Sequence, residues 1–186
     1  APDHSSLTVI EEYISGDTLE EVLEICGVLS EQDVLSYLNQ LCSILIQLQS
    51  FTPPIVHRDI KPSNIILTED GRIVLIDLNA ARLDDKKSSH DTQLIGTAGF
   101  AAPEQYGFAA SSPRADLYAA GILMRVLLTG TDANDAMLSR HLSRKMRAII
   151  ERCTQLDPRK RYPSAQALQR DIRKLMHKEM KGISCS

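Results

Sequence analysis

The spacing of apolar residues along the chain predicts five helices, separated by short segments that contain glycine, proline or serine. The longest is expected to begin after Ser30, a good N-cap residue, and to run from Glu31 to about Ser50. Its apolar stripe recurs at helical intervals, at Val34, Leu35, Leu38, Leu41, Cys42, Leu45 and Leu48. The other four helices are predicted near residues 18–26, 116–130, 143–155 and 164–178.

β-Prone runs are few and short, which predicts a mainly α-helical fold with little sheet. They lie at residues 7–14, 55–57, 65–68 and 72–76. The last two flank Glu69-Asp70-Gly71, and an Asp-Gly pair between two such runs is a strong signal for a β-hairpin. From 77 to about 112 no sustained periodicity occurs, and a long segment of this kind inside a compact domain is usually functional.

Composition and charge limit the classes of function. The chain has 186 residues, 43% of them hydrophobic, enough for one domain with a sizeable core. Its formal net charge of -3 gives no reason to expect nucleic acid or an anionic membrane as a partner. No apolar run approaches the ~18 residues that span a bilayer. The four cysteines form no C-x-x-C pair and are expected to be reduced core thiols, so we expect a cytoplasmic protein.

The densest group of polar side chains lies in VHRDIKPSNIIL, residues 56–67, between apolar runs. Four further segments are LIDLN at 75–79, GTAGFAAPE at 96–104, DLYAAG at 116–121 and LDPRKRY at 156–162. In this order and spacing, the five segments resemble motifs of the eukaryotic-type (Hanks-type) Ser/Thr protein kinases, from the catalytic loop to the loop before the last helix. The resemblance extends from about Leu7 to Met176, includes features of bacterial members, and implies the C-terminal lobe of the kinase fold.

The resemblance assigns the catalytic chemistry to the polar residues of that first segment. Asp59 is expected to accept the proton of the substrate hydroxyl, and Lys61 to place a cation on the γ-phosphate of ATP. Asn64 and Asp77 are expected to bind Mg²⁺, with Mn²⁺ as an alternative metal. Phosphoryl transfer depends on positioning and charge neutralisation, and these residue types supply both. The implied substrates are Ser and Thr hydroxyls of proteins.

The segment VIEEYISGDTL, residues 9–19, resembles the strand and hinge that hold adenine in this family. By this resemblance, the backbone groups of Glu12 and Ile14 bind the base. Ile66, two residues after Asn64, is expected to form the floor beneath it. Together with Lys61, these residues are the predicted ATP-binding set.

Other residues receive supporting roles from the same resemblance. Asp116 is expected to accept backbone N–H groups of the catalytic loop, since a buried carboxylate needs donors. Glu104 and Arg161 are expected to form a buried ion pair that ties the activation segment to the last helices. Thr97 is expected to place its hydroxyl beside the catalytic base, and His57 to be a packing residue.

Arg58, next to the predicted base, suggests control by phosphorylation of the activation segment. A dianionic phosphate could pair with this arginine and order the segment. Thr92 is the preferred acceptor on its distance from Gly96, ahead of Ser88 and Ser89. The alternative is that these hydroxyls are ordinary polar loop residues.

The chain also departs from the family pattern. It contains no Gly-rich phosphate loop and no V-A-I-K-like lysine, so we expect the N-terminal lobe to be absent and the chain to be a piece of a longer enzyme. The predicted divisions are 1–14, a remnant of the N-lobe strand and hinge, 15–180, the C-lobe, and 181–186, a tail. The surface that would face the N-lobe is expected to be bare and to favour self-association.

The metal segment reads Asp77-Leu78-Asn79 where the family has D-F-G. Leu78 is expected to keep an apolar plug in place of phenylalanine. Asn79 replaces glycine, and asparagine tolerates a left-handed φ better than most residues. The segment is therefore expected to remain compatible with Mg²⁺.

Three functions are consistent with these features. The first is the catalytic lobe of a Ser/Thr protein kinase, inactive by itself without its N-lobe. The second is a non-enzymatic half-kinase that binds partners, against which the retained Asp59, Lys61, Asn64 and Asp77 argue. The third is a small-molecule phosphotransferase, and GTAGFAAPE argues against it.

Overall fold

The computed structural model describes residues 12–84, 97–106, 112–133 and 141–183. Within these ranges the fold is mainly α-helical, as the spacing of apolar residues predicts. Five helices form its framework: α1 (Leu19–Cys26), α2 (Glu31–Ser50), α3 (Pro113–Thr129), α4 (Arg144–Cys153) and α5 (Ala165–Ile183). All five were expected from the sequence, and α3 and α5 extend beyond their predicted bounds.

Local signals set both ends of α3. Ser112 accepts a hydrogen bond from the backbone N–H of Arg114 at 3.4 Å, and Pro113 occupies the first helical position, where its missing N–H costs nothing. This cap makes α3 begin at Pro113, three residues before the apolar pattern begins. At the other end, Gly130 adopts a left-handed φ of 74°, and its N–H bonds to the carbonyl of Val126 at 2.8 Å.

Five short strands form two small antiparallel sheets in the described part of the chain. One has the order β1 (Asp17–Thr18), β3 (Ile65–Leu67), β4 (Ile73–Leu75), and its second and third strands are the predicted hairpin. The other pairs β2 (Ile55–Val56) with β5 (Arg82–Leu83). The β5 strand was not predicted, because two residues carry no periodicity and only the partner strand defines them. The segment between β2 and β3 is the polar loop singled out above.

The strand predicted at 7–14 falls mostly outside the described residues. Residues 12–15 belong to no strand, and the chain first pairs at β1, against β3. Gly16 makes this approach possible, since its φ is 149° and a Cβ there would clash with the carbonyl oxygen of Leu67. A side chain at this position would push the N-terminal segment away from the hairpin.

The hydrophobic core lies among α2, α3, α4 and α5. Helix α5 packs along α2, α4 packs along α3, and α2 also packs against α3. Ile60, between Asp59 and Lys61, and Ile65, directly after Asn64, are fully buried in the same core. The loop is therefore anchored at two points, which holds its polar groups in fixed positions.

Of the four predicted core thiols, two are buried, one is exposed, and Cys185 lies outside the described residues. Cys42 and Cys153 are free and buried, and burial raises the pKa of Cys42 to about 12. Cys26 is exposed at the end of α1, contrary to the expectation, because α1 is amphipathic and only one of its faces is covered. In the part of the chain that the structure describes, no helix is long and apolar enough to cross a membrane.

Candidate active site

A fully buried carboxylate, that of Asp116, anchors the loop that carries the predicted catalytic residues. The Oδ2 and Oδ1 atoms of Asp116 accept the backbone N–H groups of His57 and Arg58, both at 2.9 Å. Arg58 has a left-handed φ of 73°, an uncommon conformation for a residue with a side chain. The carboxylate thus fixes the loop at a point where the backbone turns sharply.

Burial controls the ionisation of this carboxylate. It raises the pKa of Asp116 to about 6, against the lowering effect of the backbone N–H groups of Arg58 and His57 and the charge of Arg58. Burial likewise lowers the pKa of His57, although the Ile76 carbonyl and nearby carboxylates oppose it. His57 is fully buried, which places it among packing residues, as the resemblance implies.

Asp59 follows Arg58 in the same loop and is surrounded by hydrogen-bond donors. Its Oδ1 accepts hydrogen bonds from the backbone N–H of Thr97 at 3.1 Å and from the Thr97 hydroxyl at 2.8 Å. Its Oδ2 accepts one from Nδ2 of Asn64 at 2.9 Å and lies 3.0 Å from Nζ of Lys61. Burial alone would raise the pKa of Asp59, but the Thr97, Lys61 and Asn64 donors outweigh it and hold the pKa below its ordinary value. Asp59 is therefore ionised at neutral pH and able to accept a hydrogen bond from a hydroxyl.

Lys61 connects the two sides of this cluster. Besides its ion pair with Asp59, its ammonium group donates to the hydroxyl of Thr97 at 2.8 Å. The lysine side chain is 23% exposed and that of Asp59 is 14% exposed, so both can be reached from solvent. A carboxylate acceptor and a cation thus lie 3.0 Å apart, both partly exposed, and the hydroxyl of Thr97 bonds to each of them.

The predicted metal ligands are brought together by the β3–β4 hairpin. The N–H of Ile76 donates to the carbonyl of Asn64 at 2.9 Å, which places Asp77 next to Asn64 at the end of the ladder. The Nδ2 atom of Asn64 donates to both the carbonyl and the carboxylate of Asp59, so its Oδ1 is the atom left for another partner. Asp77 has a φ of 64° and accepts the N–H of Asn79 on its Oδ1 at 3.0 Å.

This donor set fits Mg²⁺. An amide oxygen and a carboxylate are hard ligands, and Mg²⁺ is commonly held by one or two protein groups together with phosphates and water. Asn64 and Asp77 therefore suit a metal whose remaining ligands come from phosphates and water. Among the described residues, no group of three or more His, Cys, Asp or Glu side chains is placed to hold a metal ion.

The structure differs from two expectations about the segment after Asp77. Leu78 is 56% exposed and does not act as a buried plug, since no described neighbour covers it. The left-handed φ falls on Asp77 and not on Asn79, so the tolerance of asparagine for that conformation is not used here.

Glu104 and Arg161 form a buried, bidentate ion pair. The two Nη atoms of Arg161 donate to the two carboxylate oxygens of Glu104 at 2.7 and 2.8 Å. The same guanidinium donates to the carbonyls of Gln155, Arg114 and Leu156, at 2.7, 3.0 and 3.2 Å. With its side chain 0% exposed, Arg161 ties the segment that carries Glu104 to the ends of α3 and α4.

Sequence reasoning missed Gln105, which links the same segment to the catalytic loop. Its Nε2 donates to the carbonyl of Arg58 at 2.8 Å, and its Oε1 accepts the N–H of Ala102 at 2.9 Å. The residue is 1% exposed. The only signal for it was an amide directly after Glu104, in a segment without helical or strand periodicity.

The remaining predicted residues lie in different settings. Arg58 is buried, whereas Thr92, the preferred phosphorylation site, lies outside the described residues. Glu12 is exposed and Ile14 half-buried, and both line a cleft of about 330 Å³ beside the hairpin turn. Ile66 is half-buried, and its side chain lies against the backbone of Gly16.

Comparison with known proteins indicates the family of the chain. A family model described as the protein kinase domain matches residues 1–178. The chain is 34% identical over 181 residues to the serine/threonine-protein kinase PknA of Nostoc sp., a match that covers 86% of this chain and 31% of that protein. It is 29% identical over 185 residues to the serine/threonine-protein kinase PrkC of Bacillus subtilis, with 89% and 28% covered.

A third relative is the probable serine/threonine-protein kinase PknB of Bifidobacterium longum, 36% identical over 129 residues, which cover 66% of this chain and 18% of that protein. The chain thus spans about a fifth to a third of the length of these relatives. The motifs, the loop geometry and the family match agree, and the chain belongs to the protein kinase family, among the Hanks-type Ser/Thr kinases.

Proposed function

We propose that these residues form the catalytic lobe of an enzyme that transfers the γ-phosphate of ATP to Ser and Thr hydroxyls of protein substrates. The observation that carries the proposal is the cluster of Asp59, Lys61, Asn64 and Thr97, in which every side chain contacts at least one other. A merely structural cap would not need a cation beside an ionised carboxylate, with both groups partly exposed to solvent.

In this proposal Asp59 binds and orients the acceptor hydroxyl. Its low pKa suits a group that accepts a hydrogen bond and takes the proton late, when the hydroxyl oxygen is already losing it. Lys61 lies beside it and balances negative charge on the transferring group. Thr97 bonds to both and keeps the two groups at a fixed separation.

Asn64 and Asp77 would hold Mg²⁺, and Glu12, Ile14 and Ile66 would lie along the adenine. When bound, ATP with its metal supplies the phosphoryl group and the charge that offsets its oxygens. Asn64 serves both halves of the site, since its amide nitrogen fixes Asp59 while its oxygen remains for the metal.

The proposal includes a requirement for further elements that cover the nucleotide. The 186 residues contain neither a Gly-rich phosphate loop nor a V-A-I-K-like lysine. We therefore expect the chain alone to be inactive and a nucleotide-covering lobe to be its first partner. Tyr13, 89% exposed, and Leu78, 56% exposed, lie on segments next to the proposed nucleotide site and would become covered by that lobe or by a second copy of the chain.

The test is release of ADP by the complete gene product, with Mg²⁺, ATP and a basic protein as phosphate acceptor. We expect turnover, its reduction by about 10²–10⁴-fold in Asp59→Asn, and none from the 186-residue chain alone. Glu151→Gln is the matched control, because Glu151 is an exposed carboxylate on α4, and this variant should keep full activity.

Each failure has a separate meaning. Full activity in Asp59→Asn would remove that residue from the chemistry. Turnover by the 186-residue chain comparable to that of the complete protein would refute the need for a covering lobe. No turnover from the complete protein, together with retained binding of ATP or of a protein partner, would favour the non-enzymatic binding module.

A further inference from the structure

A cleft separates α4 from α5, and none of the residues that line it belongs to the proposed catalytic cluster. It exists because the two helices pack on different partners, α4 along α3 and α5 along α2, and touch each other at few points. The cleft has a volume of about 640 Å³. This lies within the range of ~300–1,000 Å³ that is usual for small-molecule sites.

The interior of the cleft is apolar. Tyr162, 2% exposed, and Ile149, 5% exposed, lie at its base, and Ala148 and Leu175 line its sides. The residues of α4 that line it, from Lys145 to Arg152, cover two helical turns, or about 10 Å. The cleft can hold a short apolar body but not a long helix, which would need three or more turns to bury a full face.

The rim of the cleft is cationic. Lys145 and Arg152 come from α4, and Lys174 and His177 from α5. One carboxylate, Asp171, also lines the cleft, but it already accepts hydrogen bonds from Lys174 at 2.8 Å and from the Tyr162 hydroxyl at 3.1 Å. The lining therefore carries a net charge of +2 with His177 neutral, although the whole chain has a net charge of -3.

A contact with Tyr162 holds one of these cationic groups, the guanidinium of Arg152, in place. The guanidinium of Arg152 lies over the ring of Tyr162, with Cζ 4.1 Å from the ring centroid. Arg152 thereby lies against one face of the Tyr162 ring, and the residue is exposed, so a ligand can reach its N–H groups. Tyr162 directly follows Arg161, so the cleft lies one residue from the ion pair that holds the segment with Glu104.

We propose that this cleft binds a small anionic amphiphile, a molecule with an apolar body of modest length and a single negatively charged head group. The apolar body would lie on Ile149, Tyr162 and Leu175, and the head group would lie between Arg152 and the lysines of the rim. A neutral apolar molecule would use the base alone, and a cationic one would be repelled by the rim.

The test uses the 186-residue chain and three probes of equal chain length, namely octanoate, 1-octanol and octylammonium. Binding is followed by NMR of the methyl groups of Ala148, Ile149 and Leu175. We expect octanoate to bind best, with about tenfold higher affinity than octylammonium, and to shift these methyl signals selectively. Equal affinity for the two charged probes, or shifts spread over the molecule, would overturn the proposal.

Two sets of variants separate the rim from the base. Arg152→Gln combined with Lys174→Gln should weaken octanoate binding by about fivefold and leave octanol binding unchanged, as expected when exposed charges are removed. Arg170→Gln, on the exposed face of α5 and outside the cleft, is the matched control and should change neither.

Ala148→Trp, at an exposed position on α4, should fill the cleft and abolish binding of all three probes while leaving the far-UV circular dichroism spectrum unchanged. Octanoate binding that survives Ala148→Trp, or that falls equally in Arg170→Gln, would contradict the site. The experiment needs no kinase activity, so its result is independent of the proposed phosphotransfer.

Discussion

Asp59 and Asp116 are two carboxylates of the catalytic-loop region, and their surroundings differ in kind. Asp59 is partly open to solvent and receives hydrogen bonds from side chains that include a cation, which lowers its pKa. Asp116 is 1% exposed, its hydrogen bonds come from backbone N–H groups, and its pKa is raised to about 6. At the partly open Asp59 the side-chain donors, Thr97 first among them, outweigh burial, whereas at the closed Asp116 the backbone N–H groups of Arg58 and His57 and the charge of Arg58 do not.

Glu104 shows a third way in which the fold stabilises a carboxylate. It is nearly as buried as Asp116, yet it faces the guanidinium of Arg161 at 2.7 and 2.8 Å. The proposed reacting groups thus lie in a cluster that is only partly exposed, with the side chains of Lys61 and Asp59 23% and 14% exposed. Two buried carboxylates, Asp116 and Glu104, hold the surrounding backbone in place. If this division is correct, substitutions at Asp116 or in the Glu104–Arg161 pair should reduce the stability of the fold. Substitutions of Asp59 should reduce activity with little change in stability.

The largest change in stability is expected for Arg161→Ala. The substitution leaves Glu104 buried and unpaired and frees three backbone carbonyls, so the free energy of unfolding should fall by about 3–5 kcal/mol. Urea denaturation followed by circular dichroism measures it. Arg159→Ala is the matched control in the same loop, since Arg159 is exposed, and it should leave the midpoint unchanged. A midpoint for Arg161→Ala within error of the unsubstituted chain would refute the structural role.

Asp116→Ala should come next. It leaves the N–H groups of His57 and Arg58 without acceptors in a buried place, which should lower the free energy of unfolding by about 2–4 kcal/mol. Hydrogen exchange should show faster exchange at these two amides than at those of α2. Unchanged protection at His57 and Arg58 would mean that the carboxylate does not hold the loop.

Asp116 also predicts a pH dependence of stability. Its pKa rises from an ordinary 3.8 to about 6 on folding, so the folded state holds the proton more tightly between these values. The contribution of this group to stability is therefore fully present below pH 3.8 and is lost as the pH rises through 6. The difference in unfolding free energy between the unsubstituted chain and Asp116→Asn should fall by about 2–3 kcal/mol between pH 4 and pH 7.

The Asp116→Asn comparison cancels carboxylates common to both chains. Asp59 is one of them, and its lowered pKa gives the opposite slope, with stability lost as the pH falls below its ordinary range. A difference that stays flat with pH, or that grows as the pH rises, would contradict the raised pKa of Asp116.

The smallest change in stability is expected for Asp59→Asn. Asparagine keeps one oxygen for Thr97, and the pair lost with Lys61 is partly exposed, so the free energy of unfolding should change by less than about 1 kcal/mol. The same variant should lose phosphotransfer in the complete protein. A loss of several kcal/mol would mean that Asp59, like Asp116, mainly stabilises the fold, and it would contradict the proposed difference between the two residues.

Much of the framework could be predicted from the sequence. The bounds of α2, the β3–β4 hairpin and the glycine end of α3 agree with local signals, because caps, Asp-Gly turns and apolar stripes act over a few residues. The expected partners Glu104 and Arg161, 57 positions apart, came from a family resemblance and not from any local pattern. Three features were not predicted: the strand β5, which exists only by pairing with β2, the role of Gln105, and the exposure of Leu78. Each depends on residues that are distant in the sequence and neighbouring in the fold.

By itself, then, the sequence determined which residues are available and where helices begin and end, because those choices rest on side-chain periodicity and on caps within one turn. Only the tertiary structure decided how the charges behave. It placed Thr97 on Asp59 and Lys61, 38 and 36 positions away, and closed Asp116 away from water. Ionisation depends on burial and on distances between groups far apart in the chain. The two aspartates therefore differ, since the pKa of Asp59 lies below its ordinary value and the pKa of Asp116 is raised to about 6.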